Sequence, residues 1–323
     1  MNQRSTSRLR IALLAGGGSA EREVSLASGR QVAAALAGRG HSVDAFDPAE
    51  IEIAEIYWGR YDVCLIALHG GAGEDGRVQA ALESLVVPYT GSGPVASRLA
   101  MSKSAAKHRF RQRGVPTLPA ATFQTADASS EAARRVASLG YPLVVKPDGQ
   151  GSSLGIGVAL DERELAARLA EAFRYDSLAL IEPWVDAREF TVAVLGRRAL
   201  PVLEVVAPGG LFDFQAKYES DATEYRFETG LSGAVAGRLQ AIAVDAAAAL
   251  ETSGLVRVDL MLDREGRPWV LEVNTVPGLT SHSLAPKAAA RAGFDLAALC
   301  EWMLADGLRR FSQTKNPAVE AVP

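Results

Sequence analysis

Apolar runs separated by glycine-rich turns set out this chain. Leu9–Ala15, Ser42–Phe46 and the strongly apolar Asp62–Leu68 predict strands, and the helical period of Ala20–Ala37 predicts a helix stopped by Gly38 and Gly40. Strands alternating with helices predict an α/β class with a parallel sheet. Ser97–Gln112 predicts a helical connector ended by Gly114-Val115-Pro116, with a first domain boundary near Ala96. A smaller α/β unit follows, with helices over Ser130–Leu139 and Glu162–Tyr175 and strands over Pro142–Lys146, Ile156–Ala159 and Leu178–Ile181. Glu189 begins a strand–turn–strand pattern that runs to Val206. Residues 208–228 are polar and aromatic with weak periodicity and read as a long functional loop. Ala234–Ser253, Leu284–Arg291 and Leu296–Phe311 predict helices, and the tail from about Ser312 predicts disorder.

One hairpin carries an unusual pattern. Leu255–Leu262 and Trp269–Asn274 predict strands around the turn Asp263-Arg264-Glu265-Gly266. An even loop would set Arg257 opposite Glu272 and Asp259 opposite Val270. Alternation then puts Arg257, Asp259, Glu272 and Asn274 on one face, with Val258, Leu260, Leu262, Leu271 and Val273 on the other. Carboxylates crowded on one face repel each other, and a hard cation such as Mg²⁺ compensates them. The plain alternative is an exposed sheet face with Arg257 paired to Glu272. The continuation favours a site: Pro277-Gly278, then Thr280-Ser281-His282-Ser283 before a helix whose free N–H groups attract an anion, with Ser281 or Ser283 as its cap.

Composition narrows the classes. The chain has 323 residues, 48% hydrophobic and 22% charged, enough for two or three domains with buried cores. A net charge of −4 gives nucleic-acid binding no support, and no apolar run reaches membrane-spanning length. No secretory segment leads the sequence, and Cys64 and Cys300 lack metal spacing, so a reduced cytoplasmic setting is expected. Only six of the 34 basic residues are lysines, so a lysine in a motif-like context is informative.

Further candidates lie in loops. Gly16-Gly17-Gly18-Ser19 leads to Glu21 at the C-terminal edge of the first strand, where open α/β sheets bind ligands. The spacing is not that of a dinucleotide fingerprint. Four glycines in the eight residues 69–76 follow the third strand and make His69 a better candidate than His41 or His108, which read as surface residues. Lys146 precedes Pro147-Asp148-Gly149-Gln150-Gly151-Ser152-Ser153-Leu154-Gly155. This is not a Walker A loop, but its N–H groups can fold over phosphates.

The ordered segments GGGSAEREVSL, ALHGGAGEDG, PYTGSG, VVKPDGQGSSLG, EPW with EFTVAVLG, FDFQAKYESDATEY, RVDLML and LEVNTVPGLTSHS run from Gly16 to Ser283. Together they resemble the ATP-grasp superfamily, and closely its D-alanine–D-alanine ligases. The resemblance implies three α/β domains: an N-terminal parallel-sheet domain over 1–96, then two domains clamping ATP over 97–183 and 184–323. It implies that Lys103 and Lys146 contact ATP phosphates, with the loop around Ser152 and Ser153 closing over them. Glu182 and the Pro183-Trp184-Val185 backbone would hold adenine, and Glu189 the ribose. Asp259, Glu272 and Asn274 would hold two Mg²⁺, for which Mn²⁺ can substitute. Glu21 would take the ammonium of the first D-alanine beside His69, and Glu21, Ser152 and Tyr218 would form a hydrogen-bonded set. Arg257 and the Gly278 N–H would stabilise an oxyanion. Lys217, Ser283 and the Leu284 N–H would take the second carboxylate. A cytoplasmic homodimer using D-alanine and ATP, without nucleic acid or membrane, is the implied setting.

Two departures from the family pattern stand out. Pro183 lacks the N–H common at the adenine hinge, and Asp148 stands where a small residue is usual. The competing readings are a ligase using D-lactate or D-serine second, a non-catalytic ATP-binding protein of this fold, and, weakest, a nicotinamide oxidoreductase. Tyr218 beside Lys217 matches the dipeptide-forming type.

Overall fold

The computed structural model describes residues 8–126, 135–151, 154–206 and 223–315. The chain divides into two compact units. Unit 1 comprises the chain up to Ser97, Glu251–Arg257 and the chain from Thr275; unit 2 comprises Arg98–Leu250 and Val258–Asn274.

In unit 1, β1 (Arg10–Leu14), β2 (Ser42–Phe46) and β3 (Val63–Ile66) form the expected parallel sheet, in the order β2-β1-β3. Ile11 lies opposite both Val43 and Val63. Ile11–Leu14 and all of β3 are buried, as strands of a parallel sheet covered on both faces must be. The crossover helix α1 (Arg22–Gly38) turns Ser25, Ser28, Gly29, Val32 and Leu36 inward at helical spacing. Gly29 has no room for a side chain, since a Cβ there would come 2.5 Å from that of Ala15. Helix α2 (Arg77–Ser84) follows β3. From the distal part of the chain come α7 (Leu284–Arg291) and α8 (Leu296–Lys315), and α8 packs on α1 and β3.

Two expectations fail here. The tail begins as helix, because α8 runs through Lys315; residues 316–323 lie outside the described ones. His41 is buried rather than superficial. Its Nδ1 accepts from the Leu9 N–H at 3.2 Å and its Nε2 meets Glu301 Oε1 at 3.3 Å, which ties the start of β2 to α8. His108 is exposed, as expected.

Unit 2 holds two sheets. The connector is not one helix but two, α3 (Pro94–Met101), which enters from unit 1, and α4 (Lys103–Gln112). The break falls at Ser102, whose hydroxyl accepts from the Ala105 N–H and caps α4. Strands β4 (Ala121–Gln124), β5 (Leu143–Pro147), β6 (Gly157–Ala159) and β7 (Leu178–Pro183) form an antiparallel sheet ordered β4-β7-β5-β6. Helix α5 (Glu162–Ala172), capped by Asp161, closes one face over Phe123, Leu143, Val145, Ala179 and Ile181. Alternation therefore sends Lys146 and Glu182 to the opposite face, with Val144 paired to Glu182 and Lys146 to Leu180. Of the helix expected over Ser130–Leu139, residues 130–134 lie outside the described ones, 135 and 136 are helical, and 137–139 form a turn.

The second sheet runs β11 (Glu224–Arg226), β10 (Leu203–Val206), β8 (Ala187–Leu195), β12 (Leu255–Asp263), β13 (Pro268–Asn274), with the short β9 (Arg198–Ala199) beside β8. Helix α6 (Gly233–Ala249) packs on β8 and β13. Part of the segment read as a loop over 208–228 is thus strand β11; residues 207–222 lie outside the described ones.

The hairpin loop is odd rather than even. Asp263 N donates to Arg267 O at 3.1 Å, Gly266 N donates to Asp263 O at 2.9 Å, and Gly266 has φ +74. Three residues therefore form the loop, with glycine as a bulge, so the pairing expected of an even loop does not hold at the turn. Burial alternates along β12 from Val256 through Leu260. In β13 it slips once, at the half-buried neighbours Leu271 and Glu272. Arg257, Asp259, Glu272 and Asn274 are all half-buried, while Val256, Val258, Val270 and Val273 are buried.

Candidate active site

The polar face of the first sheet in unit 2 is organised by one carboxylate. Glu182 is 1% exposed, and each of its oxygens takes one lysine ammonium: Lys107 on Oε1 and Lys146 on Oε2, the latter at 2.6 Å. These cations hold its pKa down at about 2, against the burial that would raise it. Lys146 is raised by the carboxylates of Glu182, Glu272 and Glu189, which outweigh its own burial. Lys107 goes the other way: burial, the largest cause, lowers it despite Glu182. Its ammonium also donates to Thr117 Oγ1 at 2.7 Å and to the Leu118 carbonyl at 3.3 Å. Sequence reasoning assigned Lys107 no role. The available signal was its spacing of four from Lys103 on a helix, which puts both on one face.

Lys103 Nζ donates to the Gln150 carbonyl at 2.5 Å and lies 3.9 Å from Glu272 Oε2. The root of the glycine–serine loop is fastened nearby. Gly149 N donates to Asp176 Oδ2 at 2.6 Å, and Gln150 Nε2 to the Tyr175 carbonyl at 2.9 Å. Asp148 has turned away from the loop. Its Oδ2 accepts from Ser102 Oγ at 2.6 Å and its Oδ1 from the Ser104 N–H at 2.7 Å, so it sits on the N-terminus of α4. The positive end of the helix favours an acid there. Ser152 and Ser153 lie outside the described residues, as do Lys217 and Tyr218.

At the hinge, Trp184 N donates to the Pro142 carbonyl at 2.8 Å. Pro183 has no N–H, so within Pro183–Val185 only the Val185 N–H and the carbonyls are left for a ligand. On the second sheet, Asp259 Oδ1 accepts from Thr191 Oγ1 at 2.7 Å. Glu272 meets its lysine beyond hydrogen-bond length, and Asn274 is half-buried on the same strand. Two carboxylates and an amide, half-buried and all oxygen donors, fit a hard divalent cation.

Unit 1 gathers a second cluster. Glu21 ends the loop after β1, and its carboxylate lies over Gly70, where a Cβ would meet Oε2 at 2.5 Å. Ser19 Oγ donates to the His69 carbonyl at 2.5 Å and accepts from Glu21 N. His69 is buried with both ring nitrogens in use. Nδ1 faces the Val276 carbonyl at 3.1 Å and must donate, so Nε2 accepts from Ser28 Oγ at 3.0 Å. Ser28 in turn accepts from the Leu279 N–H at 3.2 Å. Burial, the largest cause, lowers the His69 pKa, with Glu21 opposing and Arg257 reinforcing. His69 is therefore neutral and pins segment 276–279 to α1. Gly278 lies under Ser283, whose Oγ a Cβ would meet at 2.6 Å. Ser283 is the cap residue of α7, but its hydroxyl bonds Thr280 instead of the helix, which leaves the Leu284 end of α7 without a side-chain cap.

The comparisons with known proteins agree with one another. The family model described as the D-ala D-ala ligase C-terminus matches residues 110–305, more than half of the chain. A D-alanine–D-alanine ligase of Alkalilimnicola ehrlichii is 45% identical over 93% of this chain and 95% of its own. The chain belongs to the D-alanine–D-alanine ligase family. The ligase of Bordetella pertussis is 46% identical over 92% of this chain and 94% of its own. Among solved structures, the D-alanine–D-alanine ligase of Bacillus anthracis superposes with a TM-score of 0.83 at 33% identity, over 95% of this chain and 99% of that one. A D-alanine–D-alanine ligase of Bacillus anthracis complexed with ATP gives 0.83 at 30% identity, over 95% of this chain and 99% of that one. The fold is thus the ATP-grasp arrangement that the resemblance implied. No helix among the described residues is long and apolar enough to cross a membrane.

Two predictions follow from these contacts within this ligase-family chain. Asp148→Ala removes the carboxylate that accepts from Ser102 and from the Ser104 N–H at the start of α4, and should cost about 1–2 kcal/mol in urea unfolding; an unchanged midpoint would refute that role. For His69, the folded pKa lies below the model-peptide value of 6.5, so the unfolded chain takes up the proton first. Its contribution is complete above 6.5 and is lost as pH falls below it. Urea midpoints should therefore drop between about pH 8 and pH 5, and His69→Gln should flatten that slope; an equal slope in both would show that His69 is not the group.

Proposed function

We propose that this chain joins two D-alanine molecules through a D-alanyl phosphate, at the expense of ATP, to supply D-alanyl-D-alanine for peptidoglycan precursors. The observation that carries this reading is 45% identity to a D-alanine–D-alanine ligase over 93% of the chain. The Lys103–Glu272 and Lys146–Glu182 pairs support it, because they put phosphate-binding cations beside oxygen donors suited to a metal.

A carboxylate is a poor acylating agent, so it must first be activated. A carboxylate oxygen of the first D-alanine attacks the γ-phosphorus of ATP, and the bond to the β-phosphate oxygen breaks to release ADP. The free amine of the second D-alanine then attacks the acyl carbon. The carbon–oxygen bond to phosphate breaks, the amine gives up a proton, and dipeptide and phosphate leave. Lys103 and Lys146 hold the phosphates, Glu182 and the 183–185 backbone the adenine, and Glu189 the ribose. Asp259, Glu272 and Asn274 would hold the two Mg²⁺, or Mn²⁺ in their place, whose charge would screen the phosphates. Glu21 orients the first ammonium, and neutral His69 keeps segment 276–279 in place. Arg257 and the Gly278 N–H stabilise the oxyanion. Ser283, the Leu284 N–H and Lys217 take the second carboxylate, while Ser152, Ser153 and Tyr218 complete the cover that keeps water from the acyl phosphate.

The division into segments 1–96, 97–183 and 184–323 belongs to this proposal, as do the cytoplasmic setting and a homodimer. Exposed Leu85, Val86 and Val95 support an isologous contact through the N-terminal segment.

The test is Mg²⁺- and ATP-dependent phosphate release with D-alanine, L-alanine, or D-alanine plus D-lactate, on protein whose mass is taken by light scattering. Release and dipeptide with D-alanine alone are expected, and Arg257→Ala should lower kcat by about 100-fold or more. Release only with D-lactate would move the assignment to depsipeptide formation. ATP binding without release would favour a non-catalytic protein, and a monomeric mass would overturn the dimer.

A further inference from the structure

Two lysines meet one carboxylate in unit 2, and they are not equivalent. Lys107 is 1% exposed, and its ammonium has three donors and three acceptors: Glu182 Oε1, Thr117 Oγ1 and the Leu118 carbonyl. It has no donor left for a ligand. Thr117 passes the grip on, donating to the Val270 carbonyl at 3.0 Å, while Val270 N donates to the Pro116 carbonyl at 2.8 Å. Lys107 is thus built into the floor between α4, β7 and β13. The Lys146 side chain, by contrast, is 15% exposed at the end of β5, next to the glycine–serine loop, and the carboxylates of Glu272 and Glu189 also act on it. Lys146, the more exposed of the two, is the one that an incoming polyphosphate can draw off Glu182 with acceptor oxygens of its own.

We propose that Lys107 is the positioning residue for adenine recognition: it holds Glu182 Oε1 permanently, so that on nucleotide binding Oε2 exchanges the Lys146 ammonium for the 6-amino group of the purine and releases Lys146 to the phosphates. The inference rests on the reading of Glu182 as the adenine acceptor. Base recognition and phosphate grip then become one event. A purine with a 6-amino group can take the lysine's place on the carboxylate, whereas a 6-keto purine presents an acceptor to an acceptor and leaves Lys146 where it is.

The experiment compares ATP with inosine triphosphate, which differs in carrying a 6-keto group. It uses the parent, Lys107→Met, Glu182→Gln and the double variant. kcat and KM come from phosphate release, and ADP against IDP affinity comes from calorimetry. Lys107→Met should reduce the preference for the adenine nucleotide by about tenfold, with most of the loss in KM for ATP and less in kcat. The double variant should match Glu182→Gln within about twofold, because Lys107 acts through Glu182. A purely structural lysine would lower stability while leaving the base preference intact.

A folded Lys107→Met with parental preference, beside a Glu182→Gln that has lost it, overturns the proposal and leaves the Glu182 reading standing. Parental preference in Glu182→Gln overturns both. Should Lys107→Met fail to fold with its carboxylate left half-paired, the double variant, which buries no such charge, decides: equality with Glu182→Gln supports the proposal, and a further loss of preference overturns it.

Discussion

A buried carboxylate cannot stand alone, and the larger unit of this chain is arranged around that constraint. Glu182 lies on an antiparallel sheet with almost no solvent, held ionised by Lys107 from α4 and Lys146 from β5. Removing one partner of such a buried pair typically costs about 3–5 kcal/mol, so each element that carries one is tied to the others. Helix α4 is held at its N-terminus by Ser102 and Asp148, and this fixes Lys103 as well as Lys107. The loop root beside Lys146 is fastened to Asp176 and Tyr175. Lys103, Lys107 and Lys146 are therefore set by contacts within the protein itself, so little ordering remains for a ligand that meets them.

Unit 1 solves a different problem, that of keeping a neutral imidazole in a charged setting. His69 has Glu21 and Arg257 in its field, yet both ring nitrogens are engaged by Ser28 and Val276 and burial favours the uncharged ring. A charged ring there would carry a proton on Nε2 and could not accept from Ser28. The neutral tautomer instead locks the 276–279 segment, which carries Gly278 and so leads to Ser283 and α7. Glycines at positions 70 and 278 leave space that Glu21 and Ser283 fill.

Much of this was legible in the sequence because apolar alternation reports burial directly. β2 has the expected bounds, β1, β3, β5, β7 and α1 lie within a residue or two of theirs, and the parallel N-terminal sheet followed from strands alternating with helices. The misreadings were local chemistry that periodicity does not encode. The hairpin loop at 264–266 is odd because Gly266 adopts a left-handed bulge. The 97–112 connector breaks at Ser102, whose hydroxyl caps α4 and donates to a carboxylate 46 residues away. That same contact accounts for Asp148, an acid that looked misplaced beside phosphates. His41 looked superficial because its partner, Glu301, lies 260 residues on. Lys107 was passed over because nothing in a helix pattern distinguishes a solvated lysine from one serving a buried carboxylate on another element.

The central claim is that activation of D-alanine by phosphorylation precedes the peptide bond. The direct measurement is positional isotope transfer: D-alanine labelled with ¹⁸O in its carboxylate is turned over with unlabelled ATP, and the released phosphate is analysed by mass. Attack of the carboxylate on the γ-phosphorus requires one labelled oxygen in each phosphate per dipeptide formed. Dipeptide accompanied by unlabelled phosphate would contradict the acyl phosphate and, with it, the account given of the site.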